Sequence, residues 1–276
     1  MKRKKIIRLI AIVAVLLSAI YLLRIYIKAK VEEMTFELFE EDKEQIEFAK
    51  KESIERITFK SNGNTLYANW SNHGKSSPSV FILHGNGETL SDWVETQVFL
   101  KELGYSTFVF DYSGFGSSQG IPTVESLDEN AKSAWIKFCE LTNESSSRIV
   151  FGHSLGSAVL LGSVNTYPII PDNLIIHAPF SSAREIAIHL GTADKSWAWI
   201  LPDMWNNKEN IQNIPTKNIC IVHSKSDEIT PYNMSVKISK QNKNANLLLL
   251  DGYNHNSLYE SVDKTFWNEV LKCNSN

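Results

Sequence analysis

The sequence predicts an α/β fold, a mostly parallel central sheet with helices on both faces. Three observations predict it. From residue 79 onward, short apolar runs alternate with amphipathic helical stretches. A G-x-S-x-G pentapeptide, Gly152-His153-Ser154-Leu155-Gly156, stands between an apolar run rich in β-branched residues and the start of an apolar helix. Loops carrying glycine, histidine and acids recur just after the apolar runs, where open sheets bind ligands.

Taken in order, the chain opens on a basic cluster, Lys2-Arg3-Lys4-Lys5, followed by the almost wholly apolar residues 6–27. That stretch reaches the ~20 residues a spanning helix requires. A cleaved signal peptide would need small residues after the apolar core. Arg24, Ile25, Tyr26, Ile27 and Lys28 follow instead, so an uncleaved anchor over residues 1–30 is preferred. Residues 31–52 are dense in Glu and Lys and read as a polar, solvated stalk. The domain proper is expected over 53–276. It opens with strands at 54–59 and 65–70, joined by Ser61-Asn62-Gly63-Asn64, a hairpin turn carrying Asn-Gly. Parallel strands are expected at 80–83, 107–110, 149–151, 174–177, 219–223 and 247–250. Helices should begin near Ser91, Val124, Ser157 and Pro231, with a last one over 258–271. One insertion, 181–217, lacks strands and carries Trp197, Trp199 and Trp205. It reads either as packed surface helices or as a short cap over the site.

Composition narrows the function. The net charge is −3, and no basic stripe with interleaved aromatics appears in the body of the chain, which argues against nucleic acid. Cys139, Cys220 and Cys273 are odd in number and widely spaced. That predicts neither a disulfide framework nor a zinc site, so the compartment is not read from them. No histidine pair has metal-ligand spacing, and no P-loop or dinucleotide fingerprint is completed; neither metal nor cofactor is expected.

The loops themselves point to nucleophilic catalysis. The pentapeptide presents Ser154 on a tight strand-to-helix turn. His84-Gly85-Asn86-Gly87, after the first parallel strand, has the form of a loop that donates a main-chain N–H to an oxyanion; Asn86 and Leu155 are the expected donors. Asp227, after the fifth parallel strand, and His255, after the last, complete the order Ser…Asp…His. A base must take the serine proton, and an acid must hold the base's tautomer. Glu228 and Asp251 are rival acids, and Asp111 reads as a structural loop acid.

With these loops in hand, the chain resembles the α/β-hydrolase superfamily over roughly residues 54–270. Within it, the chain is similar to small membrane-anchored serine hydrolases of the monoacylglycerol-lipase and serine-aminopeptidase branch. The carriers are Leu83-His84-Gly85-Asn86-Gly87, Asp111 to Gly116, the Ser154 pentapeptide, Ala178-Pro179-Phe180, Ser226 to Pro231 and Gly252 to Asn256. The resemblance implies Ser154 as nucleophile, Asp227 as acid, His255 as base, and oxyanion donors at Asn86 and Leu155. It implies cleavage of carboxylic esters or thioesters, lipid-like given the anchor, through an acyl-enzyme. An aminopeptidase-like peptidase and a non-catalytic anchored binding module are the alternatives. Two departures stand out: Ser113 where relatives carry Arg, and Gly87 where they carry a small residue such as Ala. The positive excess before residue 6 predicts a cytoplasmic N-terminus and an exported domain. Three N-x-S sequons, at Asn69, Asn143 and Asn233, would then be open to glycans in a eukaryote.

Overall fold

The computed structural model describes residues 2–202, 204–260 and 262–273; the side chains of Lys2, Arg3 and Lys5, part of the N-terminal charge cluster, lie outside the described residues. The strands are β1 (Glu55–Ser61), β2 (Asn64–Ser71), β3 (Ser79–Leu83), β4 (Ser106–Phe110), β5 (Arg148–His153), β6 (Asn173–His177), β7 (Asn218–Ser224) and β8 (Ala245–Leu250). The helices are α1 (Lys2–Thr35), α2 (Lys43–Lys51), α3 (Val94–Glu102), α4 (Val124–Leu141), α5 (Leu155–Ser163), α6 (Ala183–His189), α7 (Asn207–Asn210), α8 (Tyr232–Ser239), α9 (Ser257–Glu260) and α10 (Lys264–Lys272). The strands form one sheet in the order β1-β2-β4-β3-β5-β6-β7-β8. The β1–β2 and β2–β4 pairs are antiparallel; the rest are parallel.

The alternation inside β3 shows why the sheet sits in the middle. Phe81 and Leu83 join a core with Phe108, Phe110, Trp135 and Phe138 on one face. Val80 and Ile82 join Trp93, Phe151, Phe266 and Trp267 on the other. A strand covered on both faces reads as a near-continuous apolar run; Val80 to Leu83 are apolar, and all five β3 residues are buried. The β1–β2 turn has Asn62 at φ 47° and Gly63 at φ 83°, the paired positive φ values that an Asn-Gly hairpin turn needs.

Local chemistry shifts some boundaries. The helix expected near Ser91 begins as a 3₁₀ turn, Leu90–Trp93, set by a capping box of Thr89 and Asp92, and becomes α-helical only at Val94. The single expected C-terminal helix is two, since Asp263 caps α10 by accepting from the Thr265 and Phe266 amides.

Three expectations are corrected. The first is the cysteine reading: Cys220 and Cys273 form a disulfide, Cα atoms 6.0 Å apart, joining β7 to the end of α10. Their 53-residue separation hides a proximity that only the fold creates. The second is the solvated stalk. Helix α1 runs on to Thr35, and residues 36–42 cross the domain without helix before α2. Glu32, Phe36 and Ala49 are buried. The apolar faces of this segment, diluted by Glu and Lys in sequence, find partners on the domain. The third is the sequon at Asn69, which is buried in β2 between β1 and β4 and closed to a glycan. Among the described residues, one helix is long and apolar enough to cross a membrane, Ile6–Thr35, whose most apolar 18-residue stretch has a mean hydropathy of 2.7.

Candidate active site

The pentapeptide forms a strained elbow. β5 ends at His153, α5 begins at Leu155, and Ser154 between them has φ 51° and ψ −111°. A non-glycine residue pays strain for that conformation, so the surroundings must hold it. They do. Ser154 N donates to His177 O at 3.0 Å, and the Ser157 hydroxyl lies 2.7 Å from Gly152 O and 2.8 Å from His177 O. Both glycines are sterically required: a Cβ on Gly152 would meet Gly156 O at 2.7 Å, and one on Gly156 would meet Leu83 O at 2.0 Å.

Asp227 and His255 meet at the carboxyl ends of β7 and β8. Asp227 Oδ2 lies 2.7 Å from His255 Nδ1. Its Oδ1 accepts from the Ile229 and Thr230 amides at 2.9 and 2.7 Å, which fixes the carboxylate plane. Burial alone would raise this acid; hydrogen bonds from His223 and His255 outweigh it and hold the carboxyl well below the usual range. Asp227 therefore stays ionised and accepts, so His255 carries its hydrogen on Nδ1 and leaves Nε2 free to accept. The His255 ring centroid is 4.9 Å from that of His153, the residue before Ser154. The fold thus brings the three predicted residues to one end of the sheet.

The rival acids go elsewhere. Glu228 accepts from the His255 main-chain amide at 3.1 Å, not from the ring. Asp251 accepts from Ser226 Oγ and the Gly252 amide. Asp111 is fully buried and accepts from the Leu90 amide at 2.9 Å. Burial pushes its carboxyl well up. Asn86 sits in the loop after β3, and Leu155 is the first residue of α5. Among the described residues the main-chain N–H of neither has a hydrogen-bond partner.

Two contributors are not evident from sequence. His223 lies behind the acid: its Nε2 is 2.8 Å from Thr230 O and 3.2 Å from Asp227 Oδ2. The carbonyl requires a hydrogen on Nε2, so Asp227 gains a second donor. Glu88 braces the Asn86 loop from within. Its Oε2 accepts from the Gly85 amide at 2.8 Å and from Trp93 Nε1 at 2.9 Å, and its Oε1 lies 3.2 Å from His153 Nε2. Burial raises the Glu88 carboxyl and holds His153 and His177 well down. The only trace in sequence is an acid inside an otherwise small, polar loop.

Of the insertion's tryptophans, Trp197 and Trp199 are exposed and Trp205 is buried. Trp205 packs edge-on to Phe180 and Phe36, with centroids 6.5 and 6.1 Å apart. A cavity of about 170 Å³ lined by Pro78, Tyr105, Ser147, Ile149, Asn173, Ile175 and Leu271 lies at the amino ends of the strands, away from this chemistry.

The model of the serine aminopeptidase S33 family (Hydrolase_4) matches residues 74–216, a little over half of the 276. The chain belongs to that family of α/β-hydrolases. Relatives of this S33-family chain include an uncharacterized protein of Mycobacterium tuberculosis, 30% identical over 172 residues that cover 60% of this chain and 58% of that protein. The lysophosphatidylserine lipase ABHD12 of Bos taurus is 29% identical over 182 residues, covering 59% of this chain and 45% of the lipase. The chain thus spans about half the length of the curated relatives it matches. Among solved structures, Est1E from Butyrivibrio proteoclasticus with ferulic acid bound superposes with a TM-score of 0.60 at 24% identity, covering 78% of this chain and 99% of that one. The Pyrococcus furiosus esterase Pf2001 gives 0.63 at 18% identity, covering 81% and 94%. At these identities the structures speak for the fold alone.

Proposed function

We propose that the chain is a membrane-anchored serine hydrolase that cleaves carboxylic esters or thioesters with lipid-like acyl groups. The observation that carries this reading is the 2.7 Å contact of Asp227 with His255 Nδ1, beside the strained turn that presents Ser154. With Nδ1 bonded to the carboxylate, His255 Nε2 takes the Ser154 proton as Oγ attacks the acyl carbon. The N–H groups of Asn86 and Leu155 receive the negative charge that develops on the carbonyl oxygen. His255 then returns the proton to the leaving alcohol or thiol, leaving an acyl-enzyme that water clears by the same route. Asp227, kept ionised, stabilises the imidazolium formed on the way.

The acyl preference rests on place and lining. Phe36, Phe115, Phe180 and Trp205 form an apolar group on the Asn86 side of the site, and each acyl methylene buried there is worth roughly 0.8 kcal/mol. That ABHD12 is a lysophosphatidylserine lipase agrees with a lipid ester. The family's name favours an aminopeptidase, which needs an acid free to hold a substrate ammonium. Glu88 is the buried acid in the Asn86 loop; its Oε2 accepts from Gly85 and Trp93, and its Oε1 faces His153 Nε2 at 3.2 Å inside the protein.

For the anchor we propose residues 6–27 as a single span with the N-terminus cytoplasmic and the domain exported. The basic residues before Ile6 support that orientation. So does the Cys220–Cys273 disulfide, a bond that persists in oxidising compartments.

A fluorophosphonate probe tests the chemistry. The unaltered chain should label at Ser154 and Ser154→Ala should not. Among substrates, p-nitrophenyl esters of medium and long chains should be turned over faster than acetyl esters and aminoacyl amides. Faster turnover of the amides would move the assignment to the peptidase.

A further inference from the structure

We infer that the membrane-proximal segment Thr35 to Glu41 is a working part of the active site, positioning the oxyanion loop through the side chain of Asn86. The inference rests on the hydrolase reading above. Asn86 Nδ2 donates to Thr35 O at 2.9 Å, and the Glu37 amide donates to Asn86 Oδ1 at 3.1 Å. Both side-chain bonds of the expected oxyanion residue are therefore made to the backbone of the segment that leaves the membrane helix. The contact continues at the next residue. A Cβ on Gly87, which has φ +74°, would meet Glu37 Oε2 at 3.2 Å and Phe39 Cε2 at 3.3 Å. Glycine at this position lets the segment lie directly on the loop. Phe36 packs edge-on between Phe115 and Trp205, centroids 6.2 and 6.1 Å away.

The segment is pinned at both ends, so it can transmit position. Upstream, Glu32 accepts from the Val124 amide at 2.9 Å, and Lys28 pairs with Glu125. Downstream, Glu41 forms a two-point pair with Arg56 and accepts from Ser117 Oγ at 2.7 Å, and the Asp42 amide donates to Ser91 Oγ at 3.0 Å. A peptide bonded on both edges of one amide side chain restricts that residue's backbone. The Asn86 N–H acts only if it points at the oxygen where charge develops. Asn86 is thus given a second role: its side chain positions its own main-chain donor, with the segment as the fixed frame.

The test uses the full chain in detergent, with p-nitrophenyl acetate as substrate and rates expressed per serine titrated to end point with a fluorophosphonate. Glu37→Pro removes one donor to Asn86, because proline has no N–H. Asn86→Asp keeps the main-chain donor but sets a carboxylate oxygen against Thr35 O. In both variants kcat should fall about ten- to a hundredfold while KM stays within about twofold, because a misplaced oxyanion donor costs the transition state and not the ground state. A segment that served packing alone would lower the melting temperature and the titrated fraction and leave kcat per titrated serine unchanged; that outcome in both variants overturns the inference. If the variants do not fold, the unaltered chain decides. Phosphonylation of Ser154 should slow hydrogen exchange at the Glu37 amide, since coupling between the two sites is reciprocal, and an unchanged rate overturns the inference. A wild-type chain that neither labels nor hydrolyses any ester sinks the hydrolase reading instead, which separates the two failures.

Discussion

At Asp227 one carboxylate oxygen serves two imidazoles, His255 at 2.7 Å and His223 at 3.2 Å, while the other takes two amides. A group held this way is fixed in orientation as well as charge. Asp227→Asn should leave the chain folded and reduce turnover by roughly 10⁴, because an amide can present N–H to His255 Nδ1 and reverse its tautomer. Asp111→Asn should act differently: its carboxylate is buried under Leu90 and touches none of the three. It should shift the melting temperature and spare kcat in the folded fraction. Measuring both quantities for both variants checks the division of labour; a folded, inactive Asp111→Asn beside an active Asp227→Asn reverses it. Ser154→Ala and the double variant with His255→Ala should be about equally inactive, since residues that act as a unit lose activity non-additively.

At the scale of elements, the end of the chain is tied to the sheet by a covalent bond as well as by packing. Phe266, Trp267 and Val270 of α10 are buried against the β-sheet core. The Cys220–Cys273 bond closes a loop of 53 residues, for which chain entropy gives about 4 kcal/mol. Cys273→Ser should lower the unfolding free energy by up to that amount without altering kcat at room temperature. Denaturant melts with and without reductant measure it, and a wild-type chain indifferent to reductant contradicts the bond. The packing of α4 on α5 carries a pH signature. Asp128 of α4 lies against Gly162 of α5, and burial raises its carboxyl to about 7, partly offset by the nearby Trp205 indole N–H. A folded pKa above the unfolded value means the folded state binds the proton more tightly. Stability from this group is then present below the unfolded value, near 4, and is lost as pH rises through about 7. Replacing it with Asn removes that loss, so the melting temperature of Asp128→Asn relative to wild type should be higher at pH 8 than at pH 5. Equal differences at the two pH values contradict the assignment.

At the scale of the molecule, α1 leads from the apolar stretch straight to the site. From Lys28 to Thr35 is seven residues, about 10 Å of helix. Under the proposed anchoring, the apolar group around Phe36 would lie close to the membrane surface. On the proposed function, a lipid ester would reach it without crossing bulk water, and the acetyl ester used as a soluble probe would have no such advantage. Reconstitution into vesicles should raise the ratio of long-chain to acetyl hydrolysis relative to a chain lacking residues 1–30, which keeps the Thr35 to Glu41 segment and every strand. An unchanged ratio would falsify the membrane-entry route. Alkaline carbonate extraction and protease protection of a C-terminal tag test the span and its direction. Release into the wash sinks the anchor, and protection on the cytoplasmic side sinks the orientation.

Patterns that repeat along the chain are legible in the sequence by itself. Apolar runs bounded by turn residues place the strands, because a strand buried on both faces is near-continuously apolar. The Asn-Gly turn and the Gly-x-Ser-x-Gly elbow are legible because only those residues tolerate the backbone required, as Gly63 and Gly156 show. What the tertiary structure alone decided involves partners distant in sequence whose chemistry is individually ordinary. Glu88 in the Asn86 loop, His223 behind Asp227, the Cys220–Cys273 bond and the path of residues 36–42 across that loop are of this kind. A glutamate, a strand-end histidine, two distant cysteines and a Glu-rich connector carry no periodicity. Their roles arise from which surfaces the closed sheet brings within hydrogen-bonding reach.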